Sequence, residues 1–500
     1  MRHVRLLGLA TTLISLVASL IYNIAITRKL SIDDLGLLTL LNAATAFSLL
    51  PNAVLSFVFP RIAARDSGLS MRASAEVSAL FFSASAAMTA GYLAITWGEM
   101  GPRAPLVLAA ALASELVTYT YSVAGSVLIV KDRGRFVFSN LAQAAAKLIA
   151  VPALWLLKWS IEAVLWSSVA ITAAPAAYSL VYAMRYAAPG AFKRYLRDVV
   201  NAAWVPLLGY AINSFRSLDA SIIGLFGALG QLGVWFTLFI LSKPYGFSSV
   251  LMNITYGELL ERGKSRVYED LLVVLSVSTT ISLSYIFFEP LFVNFLRPRD
   301  PQLISALLVP IALWSATNIL GTLNQFISNV MQGVDKRDIE AEEIRARSYL
   351  GSLVLYAHLA ELLFTVIYLA SIAPLIYLFE KAGVELYAVQ GVIVASLLGN
   401  IAAFLFRFTR AGGRLGGLIR LRWLTRDYLA PTAAASILLY VVSRVAELPL
   451  VPSAYVSLAE IALAVVATAA IYAAASYAIS PNFRALSRLV ARRLAILINI

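Results

Sequence analysis

Six ionisable side chains interrupt segments that are otherwise apolar and long enough to cross a membrane: Lys147, Arg216, Lys243, Glu115, Asp219 and Glu361. An ionised side chain at the centre of a bilayer costs at least about 2.5–3.5 kcal/mol, so each one requires a function or a partner. Arginine presents a fork of donors and lysine a point charge, and both bind phosphate. The basic members are therefore candidates for binding an anionic headgroup.

Internal ion pairing is the alternative interpretation of these residues. Asp219 follows Arg216 by three positions, which places both on one face of a helix, and the two glutamates balance the two lysines. Three positive charges against three negative ones leave this alternative open. Acidic groups or a histidine within the membrane would also suit a coupling ion or proton, and the candidates are Asp219, Glu115, Glu361 and His358.

Polar residues at steps of three and four form stripes along five of the predicted helices. The stripes are Thr12/Ser15/Ser19/Asn23, Asn42/Thr45/Ser48 (or Leu49)/Asn52/Ser56, Asn140/Gln143/Lys147, Ser315/Asn318/Thr322/Gln325/Asn329 and His358/Glu361/Thr365/Tyr368. Lipid cannot satisfy polar groups, so these faces must meet protein or water. Interhelical hydrogen bonding, worth about 0.6 kcal/mol per bond, is the simple interpretation.

Five stripes distributed over both halves of the chain favour a shared hydrated cavity. The candidate ligands of a substrate headgroup are then Arg216, Lys243, Lys147, Arg28, Asn318, Gln325, Asn42 and Asn23. Arg28 joins this set because it lies at the outer end of the first helix, where anchoring at the membrane interface is the alternative.

The composition is that of an integral membrane protein. The chain has 500 residues, of which 60% are hydrophobic and 13% charged, and its mean hydropathy is +0.81. A soluble protein carries roughly 25% charged residues. The first apolar run, 6–26, is long enough to span the membrane and lacks a cleavage pattern, so we expect it to be retained.

Enzyme and metal motifs are missing from the sequence. The absence of cysteine excludes disulfides and thiolate metal sites, and two histidines are too few for a histidine-rich site. The glycine-rich run 412–417 has the wrong spacing and context for a phosphate loop. We therefore predict a protein that is not an enzyme and has no cofactor and no metal.

The positive charge is distributed unevenly among the predicted loops. The net charge is +13, and the basic residues concentrate in alternate loops and at both termini, which predicts that the termini are cytoplasmic and that the protein lies in the cell membrane. Nucleic acid is not needed to explain this charge. The basic C-terminal tail, 480–500, alternates with apolar residues and is expected to contact membrane lipids.

We predict an all-α polytopic membrane protein with about fourteen transmembrane helices. Two six-helix lobes occupy residues 1–197 and 198–425, and residues 426–500 add two helices and an amphipathic tail. The predicted spans are 6–27, 35–60, 74–97, 105–130, 136–158, 162–184, 202–225, 233–256, 268–289, 303–330, 348–378, 386–408, 428–447 and 454–479.

An internal repeat relates the two lobes. The run that begins at Leu35 aligns with the run that begins at Leu232, and the same offset pairs Arg65 with Arg262. Pro51 and Pro244 occupy nearly matching positions in the two halves. Each proline is expected to bend its helix and free a backbone carbonyl, as gating helices do.

The run 26–68 resembles the opening of Wzx-type polysaccharide flippases of the multidrug/oligosaccharidyl-lipid/polysaccharide (MOP) exporter superfamily. The matching features are the basic residues after the first helix, an acidic–Leu–Gly turn, and a basic exit from the second helix: Arg28, Lys29, Asp33, Asp34, Leu35, Gly36, Arg61 and Arg65. The second half is similar at Asp219, Gly224, Gly227 and Gly233. The usual aromatic after the turn is replaced by Leu37–Leu38, although Trp235 is present in the second half.

The resemblance implies a two-lobe carrier that moves a lipid-linked oligosaccharide from the inner to the outer leaflet by alternating access. Its partners would be a polyprenyl- or dolichyl-phosphate or -pyrophosphate oligosaccharide, membrane lipids and glycan-assembly enzymes. An ion gradient, the membrane potential or the substrate gradient would drive it.

Three alternatives are weighed against the flippase. An ion-coupled multidrug or organic-cation antiporter of the same superfamily should have a pocket dominated by carboxylates and aromatics, whereas bases are equally represented here. A membrane glycan polymerase or ligase needs a large external loop, which the sequence lacks. A scaffold that recruits glycan enzymes through its basic loops remains open.

Overall fold

The computed structural model describes residues 2–65, 69–203, 210–212, 214–246, 248, 252, 255, 259, 266–298, 300–335, 351–415, 421–446 and 450–488. Within these ranges the chain is helical apart from turns, connecting segments and one isolated parallel bridge, between Leu69 and Ala187. The expected all-α class is confirmed.

Two compact units divide the chain, Met1–Thr237 and Leu238–Ile500. The helices up to the boundary are α1 (Arg2–Lys29), α2 (Ile32–Ser48), α3 (Leu50–Arg65), α4 (Met71–Ile95), α5 (Ala104–Lys131), α6 (Arg133–Leu156), α7 (Ile161–Ala183), α8 (Phe192–Ala202) and α9 (Leu218–Ser242), which crosses it. The second unit continues with α10 (Val267–Phe287), α11 (Glu289–Leu296), α12 (Pro301–Val334), α13 (Leu353–Lys381), α14 (Tyr387–Leu415), α15 (Ala430–Val445) and α16 (Ala454–Ile479). The predicted lobe boundaries stay predictions.

Ten helices of the described residues are long and apolar enough to cross a membrane, and the bent pair α2–α3 makes eleven if it is one span. The protein is therefore a multi-pass membrane protein, whereas the count of fourteen is not confirmed. Predicted spans 105–130 and 454–479 agree with α5 and α16 to within one residue at each end. The connector 336–350 and the end of the basic tail, 489–500, lie outside the described residues.

Short polar side chains set where several helices begin. The Ser31 hydroxyl accepts a hydrogen bond from the Asp34 N–H at 3.1 Å, and the Ser352 hydroxyl accepts one from the Leu355 N–H at 2.9 Å. The first N–H groups of a helix have no partner within it, and a capping side chain supplies one. The starts of α2 and α13 are therefore encoded locally.

The predicted bend at Pro51 is confirmed. Helix α2 ends at Ser48, α3 begins at Leu50, and the two axes differ by 52°. Proline lacks an N–H and cannot complete the helical ladder, so the chain kinks next to it. The Ser48 carbonyl accepts a hydrogen bond from the Ser85 hydroxyl of α4 at 2.5 Å. A side chain from a neighbouring helix thus satisfies a carbonyl at the break.

The predicted seventh and eighth helices, 202–225 and 233–256, have the wrong boundaries. The chain between them does not turn, because α9 runs without interruption from Leu218 to Ser242. A 3-10 turn, Lys243–Gly246, follows it. Most of the chain from 247 to 265, including Arg262, lies outside the described residues.

Candidate functional site

A buried carboxyl group lies against the break between α2 and α3. Glu115 of α5 is 0% exposed. One of its oxygens, Oε1, contacts the hydroxyls of Ser48 and Thr89. The other oxygen, Oε2, is buried and has no hydrogen-bond partner. We call Glu115, Ser48, Thr89, Ser85 and Tyr119 the Glu115 cluster.

Two helices present pairs of polar residues to this break. Ser85 and Thr89 are four residues apart on α4, and Glu115 and Tyr119 are four apart on α5, so each pair shares a helix face. The Ser85 hydroxyl lies 2.7 Å from the Tyr119 hydroxyl, which lies 3.1 Å from the Phe81 carbonyl oxygen. The sequence analysis singled out Glu115 and the stripe position of Ser48 but missed Ser85, Thr89 and Tyr119, although the four-residue spacing of polar residues is visible in α4 and α5.

The internal repeat reproduces part of this cluster in the second unit. Position 85 and position 282 differ by 197, as do 48 and 245, and the Ser282 hydroxyl lies 2.7 Å from the Tyr245 hydroxyl. The helix breaks also match, because Leu49 corresponds to Gly246 at the end of the 3-10 turn. Glu115 corresponds to Ala312. The contact between these two positions is thus repeated, with the Tyr245 hydroxyl in place of the Ser48 carbonyl, whereas the position of Glu115 holds an alanine in the second unit.

Helices α2 and α9 approach each other closely at two glycines. A Cβ added to Gly36 would lie 3.0 Å from the carbonyl carbon of Leu229, and one added to Gly233 would lie 2.8 Å from that of Ile32. Gly36 and Gly233 differ by 197 positions, and so do Ile32 and Leu229. The two contacts are therefore equivalent under the repeat. We call these four residues the glycine seam.

The stripes of the first and fifth predicted helices meet in the structure. The Lys147 ammonium of α6 donates a hydrogen bond to the Ser19 hydroxyl of α1 at 2.7 Å. Asn140 accepts one from the Tyr121 hydroxyl at 3.3 Å, and Asn23 is half-buried on α1. Among the described residues, the recorded partner of Lys147 is a neutral hydroxyl and not a carboxylate. The expected pairing of Lys147 with a glutamate is therefore not seen.

The sequence analysis places Arg216 and Lys243 in the middle of two helices, and the structure contradicts this. Arg216 precedes the start of α9, and Lys243 follows its end. Asp219 is in the first turn of α9, where its carboxylate accepts from the Ala220 N–H at 2.6 Å. The exposed Lys243 ammonium lies 4.0 Å from the centre of the Phe239 ring. The two bases therefore flank one helix.

Glu361 pairs with Arg407, the first of six arginines between 407 and 426 that the alternation of basic loops predicts to be cytoplasmic. Arg407 lies within α14, is 0% exposed, and forms an ion pair with the Glu361 carboxylate of α13. The prediction that the glutamates pair with the two lysines is wrong for Glu361. The nearby His358 is exposed on α13.

The polar stripe of α12 divides between two environments. Ser315 and Thr322 are buried; the Ser315 backbone carbonyl accepts from the Ser282 hydroxyl of α10 and the Thr322 hydroxyl accepts from the Ser278 hydroxyl of α10, each at 3.5 Å. This half of the stripe bonds between helices. The half-buried Asn318 donates to the Trp314 carbonyl of its own helix at 2.8 Å, and Gln325 is exposed.

The remaining predicted ligands lie in the first unit. Asn42 is exposed on α2, and Arg28 is half-buried at the end of α1. Next to it, the Lys29 ammonium lies 4.5 Å from the centre of the Trp155 ring of α6. An aromatic ring beside a base at a helix end is typical of anchoring at the membrane interface, the alternative given above for the neighbouring Arg28.

A second buried carboxyl group lies outside the candidate spans. Glu289, at the start of α11, is 2% exposed, and its Oε1 has no hydrogen-bond partner. Burial raises the pKa of this carboxyl from 4.5 to about 8, because the charged form loses its hydration. The sequence analysis did not single out Glu289, since it lies at the edge of a predicted span.

Glu289 should make the stability of the protein fall as the pH rises. A raised folded-state pKa stabilises the fold fully below the unfolded value, and this contribution is lost as the pH rises through the folded value. Between pH 4.5 and about 8 the melting temperature of the wild type should decrease relative to Glu289→Gln. Thermal unfolding across this range, with the exposed Glu385→Gln as control, checks it. Parallel curves for wild type and Glu289→Gln would show that Glu289 does not titrate there.

Comparison with known proteins identifies the fold. The sequence matches no protein-family model and no curated protein. The structure titled "Lipid II flippase MurJ, inward closed conformation" aligns with a TM-score of 0.64 and 12% identity over 94% of this chain and 99% of that chain. The chain therefore has a MOP-like fold, as the resemblance implied.

Two further solved structures align with lower TM-scores. A MATE crystal structure in the bent conformation gives a TM-score of 0.44 at 15% identity, covering 81% of this chain and 94% of that chain. A MOP superfamily transporter from Pyrococcus furiosus gives 0.42 at 15% identity, covering 81% and 93%. The fold assignment rests on the MurJ structure, which aligns with this chain over nearly the whole length of both.

Proposed function

We propose that the protein is a membrane transporter that flips a lipid-linked oligosaccharide from the cytoplasmic to the outer leaflet by alternating access. The observation that carries this proposal is the fold shared with a lipid II flippase over 94% of this chain and 99% of that one. A flippase of this kind works in the cell membrane, and the basic loops favour cytoplasmic termini.

Lys147 supports an anionic substrate headgroup. Its half-buried ammonium contacts the Ser19 hydroxyl on a stripe of polar residues, with no recorded carboxylate to neutralise it among the described residues. A positive charge in the membrane without a counter-charge is costly and favours binding of an anion. A phosphate or pyrophosphate linked to a lipid provides that anion. Asn23 and Asn140, on the same two helices, would offer hydrogen bonds to sugar hydroxyls.

The other predicted ligands remain part of the proposal. Arg216, Lys243, Arg28, Asn318, Gln325 and Asn42 would contact the headgroup at different stages of its passage. The flanking positions of Arg216 and Lys243 around α9 suit successive contacts better than simultaneous ones. Asp219, Glu115, Glu361 and His358 are the proposed groups for ion or proton coupling, and Glu361 would do so as a partner of Arg407.

Flipping of a fluorescent lipid-pyrophosphate oligosaccharide in proteoliposomes tests the proposal. Wild type should move the lipid to the opposite leaflet, and Lys147→Ala should slow this by about 10- to 100-fold, because a hydrogen bond to a charged group contributes roughly 1.5–3 kcal/mol. Lys193→Ala removes an exposed lysine of α8 and should flip at the wild-type rate. The flipping rate of Arg216→Ala tests in the same way whether Arg216 contributes to headgroup binding.

The possible outcomes separate the function from the site. Normal flipping by folded Lys147→Ala would keep the flippase and remove Lys147 from headgroup binding. Absence of flipping by wild type, together with uptake of organic cations against an ion gradient, would replace the flippase by the antiporter.

A further inference from the structure

Both contacts of Glu115 Oε1, with Ser48 and with Thr89, can be hydrogen bonds when the carboxyl group carries a proton. The Ser48 hydroxyl has one hydrogen, and it lies within reach of two acceptors, the Ala44 carbonyl at 2.7 Å and Glu115 Oε1. If Ser48 donates to Ala44, a protonated Glu115 can donate to the Ser48 oxygen while Thr89 donates to Glu115. If Glu115 is ionised, the single hydrogen of the Ser48 hydroxyl can be donated either to the Ala44 carbonyl or to Glu115, and the other contact lacks a hydrogen.

No positive charge is recorded at the Glu115 carboxyl among the described residues. Helices α2, α3, α4, α6 and α7 pack around α5, and apart from Lys147 their charged residues lie towards the helix ends: Asp33, Asp34, Arg61, Arg65, Arg72, Glu76, Arg133, Arg135 and Glu162. Lys147 is in contact with Ser19. The titratable group that reaches the cluster is Tyr119, through Ser85. An ionised Glu115 would therefore be a buried charge without a counter-ion, which is strongly unfavourable.

The cluster lies where the chain can change shape. Ser48 is the last residue of α2, and both its hydroxyl and its carbonyl belong to the cluster. The opposite end of α2 forms the glycine seam with α9. Helix α2 thus connects Glu115 to the seam as one rigid element of 17 residues. A change at Ser48 must alter the bend at Leu49, the position of α2, or both.

We propose that Glu115 is a proton-binding site whose occupancy controls the bend between α2 and α3, and that this couples proton movement to transport. The coupling to transport rests on the proposed function, whereas proton binding by Glu115 does not. With the proton bound, Glu115 holds Ser48 and the bend is stable. On release, the proton passes to water, and the remaining carboxylate requires hydration that the closed cluster does not provide. Helix α2 then leaves this position, since the two states differ in their affinity for the proton.

Infrared difference spectroscopy of the full-length protein in lipid nanodiscs tests proton binding directly. Spectra recorded at about pH 5 and about pH 9 span the range in which a buried carboxyl group titrates. A protonated-carboxyl C=O band should disappear at the higher pH in wild type. It should be missing at both pH values in Glu115→Gln and should remain pH-dependent in Glu99→Gln, which changes an exposed glutamate. Persistence of the whole band change in folded Glu115→Gln would overturn the proposal.

Spin labels test the bend. The chain has no cysteine, so cysteines placed at the exposed positions Asp33 and Ser56, on either side of the break, are labelled uniquely. The distance between the labels should lengthen as the pH rises, and Glu115→Gln should keep the short distance at every pH. Should Glu115→Gln fail to fold, Thr89→Val provides the second variant and should shift the midpoint of the transition. A distance that responds to sodium at constant pH, and not to pH, would assign the site to sodium instead.

Flipping in vesicles with an imposed proton gradient distinguishes the two proposals. The ratio of flipping rates with and without the gradient should exceed one in wild type and fall to one in Glu115→Gln. If wild type flips no lipid-linked oligosaccharide while the infrared band and the label distance respond as expected, the proposed function fails and the proton site stands. If flipping proceeds with no pH-dependent band from Glu115, the function stands and the proton site is wrong.

Discussion

Replacing Arg407 with methionine should destabilise the protein by about 3 kcal/mol, the lower end of the range for buried ion pairs, because it leaves the half-buried Glu361 as an uncompensated charge. Arg407 is 0% exposed, and its guanidinium pairs with the carboxylate of Glu361 on the adjacent helix α13. Methionine retains the unbranched, apolar part of the side chain, so the loss reports mainly on the charge. Thermal and denaturant unfolding of the detergent-solubilised protein, followed by tryptophan fluorescence, measures it.

A matched control and a double variant isolate the ion pair. Arg410→Met changes an exposed arginine three residues further along α14 and should leave the melting temperature nearly unchanged. The double variant Arg407→Met/Glu361→Gln removes both charges and should recover much of the stability, as replacement of a complete buried pair often does. Equal melting temperatures for Arg407→Met and Arg410→Met would return Arg407 to the cytoplasmic loop that the sequence suggested.

Arg407 shows why part of the charge pattern could not be interpreted from the sequence. It begins a run of six arginines that ends at Arg426, and such a run is typical of a cytoplasmic loop. Its partner, Glu361, lies 46 positions earlier, and no local pattern connects the two. Hydrophobic length located the helices well, since spans such as α5 and α16 were predicted almost to the residue. Pairing between helices depends on packing, which hydrophobic length does not encode.

The glycines of α9 show the same limit in another way. Two separate helices, 202–225 and 233–256, were predicted on either side of a run that contains Gly227 and Gly230. In the structure the helix is continuous, and glycine serves the close approach of α2. Small residues in membrane helices commonly allow backbones to meet. The internal repeat was visible in the sequence, and the bend at Pro51 was predicted because proline acts locally.

Replacing a glycine of the glycine seam with alanine should also lower the stability of the protein substantially. Alanine at Gly36 or Gly233 would place its Cβ against the backbone of the facing helix, at Leu229 or Ile32, and neither backbone can move away without separating α2 from α9. Overpacking of this kind costs roughly 1–3 kcal/mol. Because the two contacts are equivalent under the repeat, Gly36→Ala and Gly233→Ala should lower the melting temperature by similar amounts. The double variant should fall short of the sum, since one separation of the helices relieves both clashes.

Two other glycines provide the controls for this prediction. A Cβ at Gly224, on α9 itself, would make ordinary contacts, the nearest at 3.5 Å from Thr96, and one at Gly91 would meet nothing within 4 Å. Both alanine variants should fold normally, and Gly91→Ala should gain up to about 1 kcal/mol because alanine favours the helix. If Gly36→Ala and Gly233→Ala melt like these controls, α2 and α9 do not form the seam in the folded protein. In that case Glu115 could still bind a proton, but α2 would no longer carry its effect to α9.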